Sequence, residues 1–153
     1  MAEATTQSKA TTLHRGRLID HLHLVVRDVG ASRRFYEAIL GSLGLAIGGD
    51  GPDFFWADEL FVSSRESRAA AGELTGRVHL AFQAASRAQV DAAHHAGLAA
   101  GGRDHGAPGE RPYHPGYYAG FLLDPDGNNI EVVHHGEAQR SAASVEVSFA
   151  RPG

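Results

Sequence analysis

The sequence predicts an α+β domain built from two related β-α-β-β-β modules. Two segments alternate between apolar and polar residues as strands do, and each carries a histidine seven residues before a helix cap. Both predicted helices lead into similar sequences, Gly-Leu-Ala-Ile-Gly-Gly-Asp at 44–50 and Gly-Leu-Ala-Ala-Gly-Gly-Arg-Asp at 97–104. This shared order indicates an internal duplication.

The first module begins with a strand over residues 19–26. Asp28 is a good N-cap for the helix that follows, because its carboxylate can accept a free backbone N–H. The helix has apolar side chains at four-residue spacing, at Phe35, Ile39 and Leu43. Further strands are predicted from Phe54 to Ala57 and from Leu60 to Ser63.

The second module repeats this order, starting with a strand over residues 77–83. Ser86 and Gln89 form a capping-box pattern that opens a helix to His95. Strands are predicted at 117–123 and 129–134. The Asp-Pro-Asp-Gly-Asn segment between them has the residues of a tight turn.

We place a single domain at residues 18–136, with module one at about 18–70 and module two at about 77–136. Residues 1–17 are predicted to be a flexible tail. Residues 137–153 are predicted to be a second tail, with a short extra strand at 144–149. Gly, Pro and charged residues predict surface loops at 66–76 and 103–116.

Composition excludes several classes of function. The chain has 153 residues, of which 42% are hydrophobic, and a net charge of -4 without a basic cluster. We therefore expect no nucleic-acid and no membrane partner. No apolar run reaches the ~18 residues of a membrane span and there is no signal-peptide core, so we expect a cytoplasmic protein. Without cysteine, any metal must bind to histidine and carboxylate groups.

Strand alternation identifies such groups. His21 and His79 fall on the strand faces opposite the uniformly apolar ones, and Glu131 falls on the matching face of the last strand. If the helices cover the apolar faces, the three side chains point to the other, concave side. Two imidazoles and one carboxylate suit Fe, Mn, Co, Ni or Zn as a divalent ion and leave positions open for substrate. His23 is a further candidate, as an alternative ligand or as a partner to a ligand.

These segments resemble the vicinal oxygen chelate superfamily of glyoxalases, bleomycin-resistance proteins and extradiol dioxygenases. The resemblance is carried by Ile-Asp-His at 19–21, Ser-Arg-Arg-Phe-Tyr at 32–36, Val-His-Leu-Ala-Phe at 78–82 and Leu-Asp-Pro-Asp-Gly-Asn-Asn-Ile-Glu at 123–131. It implies that the paired modules form a cupped, open mixed barrel, often across a homodimer. It also implies that His21, His79 and Glu131 are the metal ligands.

The family's isomerases draw a fourth ligand, a carboxylate, from the last strand of the first module. Here that strand reads Leu-Phe-Val-Ser-Ser at 60–64 and holds no carboxylate. Glu59 and Glu66 flank it and are the available substitutes, although solvated charges are the more common finding at such positions.

The function that the resemblance implies first is that of a glyoxalase-like lyase or isomerase. It would chelate a small substrate through neighbouring oxygens and stabilise an enediolate-like intermediate. Glu131, Tyr118 and His114 are the candidate catalytic groups, and Tyr113 or Tyr117 could also supply an acid–base group. An Fe(II) extradiol ring-cleaving dioxygenase is the alternative. A third reading is a metal-free, bleomycin-resistance-like drug-binding protein.

Overall fold

The computed structural model of the chain describes residues 10–16, 19–68, 70, 73–137 and 139–150. Within them the chain forms ten strands and two helices. In chain order these are β1 (Ala10–Arg15), β2 (Leu22–Val26), α1 (Val29–Ser42), β3 (Gly49–Gly51), β4 (Phe54–Ala57), β5 (Leu60–Ser64), β6 (His79–Gln83), α2 (Arg87–Ala99), β7 (Arg103–Glu110), β8 (Tyr118–Leu123), β9 (Asn129–His134) and β10 (Val145–Ala150).

The predicted pair of β-α-β-β-β modules is confirmed. The first module forms a four-stranded sheet in the order β2-β5-β4-β3, and the second forms a sheet in the order β6-β9-β8-β7. In each sheet the first strand of the module lies at one edge and pairs in parallel with the last, while the other pairs are antiparallel. β1 and β10 form a separate antiparallel pair.

Both predicted helix caps are present. The Asp28 side chain accepts the Ala31 N–H at 3.0 Å, and Ser86 Oγ accepts the Gln89 N–H at 3.1 Å. Each of these bonds satisfies one of the free donors at a helix N-terminus. No helix in the described part of the chain is long and apolar enough to span a membrane.

The hydrophobic core lies between the helices and one face of each sheet. Leu24 and Val62 line this face in the first module, and Ile130 and Val132 line it in the second. α1 packs directly on α2, with Ile39 and Leu122 both close to Gly97. The helices therefore cover the inner faces of the two sheets, and the opposite faces stay open. Within the described residues, β2 and β6 share no extended contact.

A buried hydrogen bond also joins the modules. The Tyr36 hydroxyl group, on α1, donates to Asp124 Oδ2 at 2.5 Å, and both residues are almost fully buried. Burial raises the pKa of Tyr36 well above its usual value, and the neighbouring Asp124 carboxylate raises it further. Tyr36 therefore stays protonated and acts as the donor.

The structure differs from the prediction at the strands that form the outer edges. β7 occupies most of the segment predicted as a loop at 103–116, and its pairing with β8 is irregular between Asp104 and Gly109. An edge strand with bulges tolerates Pro108 and glycine, which is why its composition resembles that of a loop. β3 has only three residues, Gly-Asp-Gly, and α2 ends at Ala99 rather than His95.

β1 and β10 lie in segments that we expected to be tails. β10 covers most of the strand expected at 144–149 and pairs with β1. Residues 1–9, 17 and 18 of the N-terminal region lie outside the described residues, as do 138 and 151–153. Residues 69, 71 and 72 of the expected loop at 66–76 lie outside them too.

We predict that Tyr36→Phe lowers the free energy of unfolding by about 1–3 kcal/mol, because a buried carboxylate loses one of its donors. Urea unfolding measures the change. Tyr113→Phe is the matched control, since Tyr113 is 69% exposed and should change stability by less than about 0.5 kcal/mol. Equal effects of the two substitutions would show that the buried bond adds nothing.

Candidate metal centre

The open face of the second sheet carries the predicted ligands of this module. Ala81 of β6 and Phe121 of β8 lie opposite Glu131 of β9, so the three residues form a row across the sheet. His79 has the same parity as Ala81 and shares this face. The His79 ring also stacks on Phe121, with the ring centroids 6.1 Å apart.

Glu131 is buried, and each of its oxygens has a partner. His79 Nε2 lies 3.0 Å from Oε2, and the Tyr117 hydroxyl group donates to Oε1. The Glu131 side chain is 4% exposed, whereas that of His79 is 50% exposed. A carboxylate held in this way has a fixed orientation. Of the two side chains, His79 is the one that is open to solvent.

The hydrogen-bond partners of His79 determine the tautomer of its neutral ring. Nδ1 lies 3.0 Å from the Asn129 carbonyl oxygen, which can only accept, so Nδ1 carries a hydrogen. In the neutral ring, Nε2 is then an acceptor that faces a second acceptor, Glu131 Oε2. A proton or a cation must lie between them. Two ligand atoms about 2.1 Å from one ion of octahedral geometry are about 3.0 Å from each other, so the observed separation is compatible with a shared metal ion as well as with a hydrogen bond.

Tyr117 is the third member of this cluster. Burial, followed by its hydrogen bond to the Glu131 carboxylate, raises the pKa of Tyr117 to about 12. Tyr117 is therefore a neutral donor at physiological pH. The strand period could have indicated it, because residues 117, 119 and 121 share the face on which Phe121 lies opposite Glu131.

The first module presents His21 and His23 on its own open face. His21 is exposed, and its Nδ1 lies 2.7 Å from Asp20 Oδ1. The other ring nitrogen, Nε2, is the atom that could bind a metal. His23 Nε2 lies 2.7 Å from Ser63 Oγ, and its ring meets the edge of Phe61 at 4.9 Å. Burial, followed by repulsion from His21, lowers the pKa of His23, so that ring is neutral at pH 7. His23 is thus already engaged, and His21 is the more available ligand.

The structure brings His79 and Glu131 together but does not bring His21 to them within one chain. In the described residues, no three His, Cys, Asp or Glu side chains form a group that could hold a metal ion. The reason is the arrangement of the modules: His21 belongs to one open face and His79 to another, and the packed helices lie between the sheets.

The structure places the two other predicted catalytic residues away from Glu131. Tyr118 lies on the helix-facing side of β8, where its hydroxyl group donates to Asp91 at 2.6 Å. His114 is exposed beyond β7, with Nε2 2.9 Å from His135 Nδ1. Its ring contacts the Tyr117 ring at 5.3 Å, so His114 reaches Glu131 only through that tyrosine.

The two substitutes for a fourth ligand also differ in position. Glu59 directly precedes β5, as His21 directly precedes β2, and Leu22 pairs with Leu60. The Leu22 N–H donates to the Glu59 carbonyl oxygen at 2.6 Å, so His21 and Glu59 are neighbours across the parallel pair. Glu66 is exposed in the turn after β5.

Paired β-α-β-β-β modules with histidine and glutamate on the open sheet faces define a glyoxalase-type protein. The sequence model of the Glyoxalase/Bleomycin resistance protein/Dioxygenase superfamily matches residues 18–132. The chain therefore belongs to this superfamily, the vicinal oxygen chelate group.

Solved structures agree with this assignment. A glyoxalase/bleomycin resistance protein from Albidiferax ferrireducens T118 is 31% identical, with a TM-score of 0.61, and the match covers 76% of this chain and 98% of that one. A lactoylglutathione lyase from Agrobacterium tumefaciens is 23% identical, with a TM-score of 0.56, covering 76% and 92%, and it shows the fold alone. A glyoxalase/bleomycin resistance protein/dioxygenase family enzyme from Burkholderia phytofirmans PsJN is 24% identical, with a TM-score of 0.60, covering 76% and 97%, and it likewise shows the fold alone. No curated protein has significant similarity to the chain.

We predict that Tyr117 ionises near pH 12 and that Glu131→Gln lowers its pKa, because the substitution removes a negative charge beside the phenolate. Carbon NMR of the tyrosine rings measures both values. Because the folded-state pKa is raised, the contribution of Tyr117 to stability is complete below about pH 10 and is lost as the pH rises through about 12. Asp91→Asn is the control and should act on Tyr118 instead. Titration of Tyr117 near pH 10 in the wild type would contradict the assignment.

Proposed function

We propose that this protein is a glyoxalase-like lyase or isomerase that requires a divalent metal ion and acts on a small molecule through two neighbouring oxygens. His79 and Glu131 of one chain and His21 of a second chain would hold the ion in a homodimer. The observation that carries the proposal is the buried Glu131 carboxylate facing His79 Nε2 at 3.0 Å. Buried carboxylates need a partner charge, and a cation between these two atoms supplies it.

The bound metal, as Fe, Mn, Co, Ni or Zn, would supply Lewis-acid polarisation of the substrate oxygens. The residues of the chain would orient the metal ligands. The Asn129 carbonyl oxygen holds the His79 ring in the tautomer that presents the Nε2 lone pair. Tyr117 donates to Glu131 Oε1, which leaves Oε2 as the free ligand atom. Because the pKa of Tyr117 is high, this donor keeps its proton at physiological pH.

A second copy of the chain explains how the third ligand arrives. The open faces carry His21 in one module and His79 with Glu131 in the other, and the three side chains form no metal-binding group within the described part of one chain. Two copies related by a twofold axis can place each first module against the partner's second module. Both sites of such a dimer would be complete, and neither chain would have a site alone.

An Fe(II) extradiol dioxygenase remains the second candidate. Two histidines and one carboxylate leave open positions on iron. The Tyr117 hydroxyl group is hydrogen-bonded to Glu131 and the His114 ring lies against the Tyr117 ring, so acid–base groups are close to the proposed metal ligand. Oxygen uptake on a panel of catechols with added Fe(II) would favour this candidate. Turnover of a hemithioacetal without oxygen uptake would favour the lyase or isomerase.

The shared site predicts complementation between two inactive variants. His21→Ala and His79→Ala chains with different affinity tags are co-expressed, and the heterodimer is isolated through both tags. Because one site then combines the intact His21 of one chain with the intact His79 of the other, we expect one tight cobalt(II) site per heterodimer, against two in the wild-type dimer. Visible absorption of cobalt(II) and calorimetry count the sites. Each homodimeric variant is the control and should lack tight sites. Two tight sites in the wild-type dimer together with none in the heterodimer would refute the sharing of ligands between chains.

The two neighbouring tyrosines provide a test of the geometry around Glu131. We predict that Tyr117→Phe weakens cobalt(II) binding about 10-fold, the lower end of the range for a group that orients a metal ligand. Tyr118→Phe is the matched control, since its hydroxyl group contacts Asp91 on the other side of the sheet, and should leave binding unchanged. Weaker cobalt(II) binding in Tyr118→Phe and unchanged binding in Tyr117→Phe would assign the orienting role to Tyr118 instead.

A further inference from the structure

A hollow of about 520 Å³ opens beside His79 on the second module. It lies where β6, β9, β8 and β7 run side by side, and the paired residues His79, Asn129, Leu123 and Arg103 cross the sheet in one row. Its remaining lining comes from Arg77, Val78, His105 and Gly127. A volume of this size suits a small-molecule ligand.

The hollow is basic. Arg77, Arg103, His79 and His105 line it, and no aspartate or glutamate is among its lining residues. Neither the Arg77 nor the Arg103 side chain forms a hydrogen bond or an ion pair with a described residue, although the Arg103 backbone pairs with β8. Two other arginines are ion-paired, Arg33 with Asp50 and Arg87 with Glu110. Two guanidinium groups with unused donors therefore lie around one cavity.

We propose that Arg77 and Arg103 bind an anionic head group of the substrate, a carboxylate or a phosphoryl group. The guanidinium fork matches the oxygens of either anion and can donate two hydrogen bonds to it. The statement that this anion belongs to the substrate rests on the proposed function, whereas anion binding itself does not. The substrate would then have two parts, neighbouring oxygens for the metal centre and an anion for the hollow.

The position of His79 links the two parts. Its ring contacts Glu131 through Nε2 and also lines the hollow, so the proposed anion site adjoins the proposed metal site. Across three strand spacings, β6 and β7 are about 14 Å apart. Arg103 on β7 and Arg77 just before β6 line the hollow from the two sides of this span. A molecule of a few carbon atoms can therefore touch both sites.

The test uses inorganic phosphate and acetate as probes on full-length protein freed of metal with a chelator, so that no ion competes for the anion. Binding is followed by NMR of the His105 ring and the Leu123 amide, which line the hollow and are unchanged in every variant. We expect saturable shifts in the wild type with at least one probe, and affinity reduced about 10-fold or more in the Arg77→Gln/Arg103→Gln double variant. The probe that binds more tightly identifies the head group.

Arg34→Gln and Arg65→Gln combined is the matched control, because it changes the net charge by the same amount on arginines outside the hollow. It should bind the probes as the wild type does. Lack of saturable shifts in the wild type, or equal losses in the two double variants, would overturn the inference. Cobalt(II) binding separates this outcome from failure of the proposed function. The Arg77→Gln/Arg103→Gln variant should bind cobalt(II) as the wild type does. If the wild type itself binds no cobalt(II), the metal proposal is refuted and the anion site is not.

Discussion

The hydrogen bond between Tyr36 and Asp124 is the contact on which the rest of the second module depends. Asp124 Oδ2 accepts from the Tyr36 hydroxyl group and from Asn128 Nδ2, and Oδ1 accepts the N–H groups of Asp126 and Asn128. A carboxylate that is 1% exposed is tolerated in a core only because so many donors satisfy it. The bond therefore attaches α1 of the first module to a turn of the second and fixes the shape of that turn.

The geometry of the candidate metal centre follows from this turn. Asn128 Oδ1 accepts the Val78 N–H at 3.0 Å, and the Asn129 N–H donates to the Val78 carbonyl oxygen at 2.9 Å. These two bonds align β6 with β9 in the register that sets Ala81 opposite Glu131. A shift of one residue would turn His79 toward the helices. The buried contact between modules thus determines that a histidine and a glutamate meet on the open face.

The sequence was sufficient to predict the two modules, both helix caps and the face of each histidine, because these depend on local periodicity and on short-range hydrogen bonds. It could not predict β7, since a bulged edge strand makes few demands on apolar alternation. Without the strand register, the sequence also could not decide which of the candidates Tyr117 and Tyr118 lies beside Glu131. Once Phe121 is known to lie opposite Glu131, parity alone assigns Tyr117 to that face.

The position of His21 relative to His79 and Glu131 depends on tertiary structure and not on strand periodicity. Alternation tells on which face of its own sheet a side chain lies, but it does not tell how two sheets are oriented to each other. That orientation comes from the packing of α1 on α2, which depends on side-chain shapes distant in sequence, such as the approach of Ile39 and Leu122 to Gly97.

The two open faces differ in a way that suits them to each other. The first is aromatic, with Phe54 stacked on Phe61 at 5.5 Å and His23 kept neutral, whereas the second combines Glu131 with the basic hollow. In the proposed dimer, an aromatic wall against a polar one would exclude water from one side of a bound molecule and would keep donors and charges on the other. Electrostatic interactions strengthen in such a site because the local dielectric constant falls. Duplication of one module followed by divergence of its open face can thus produce a site with distinct walls from a single fold.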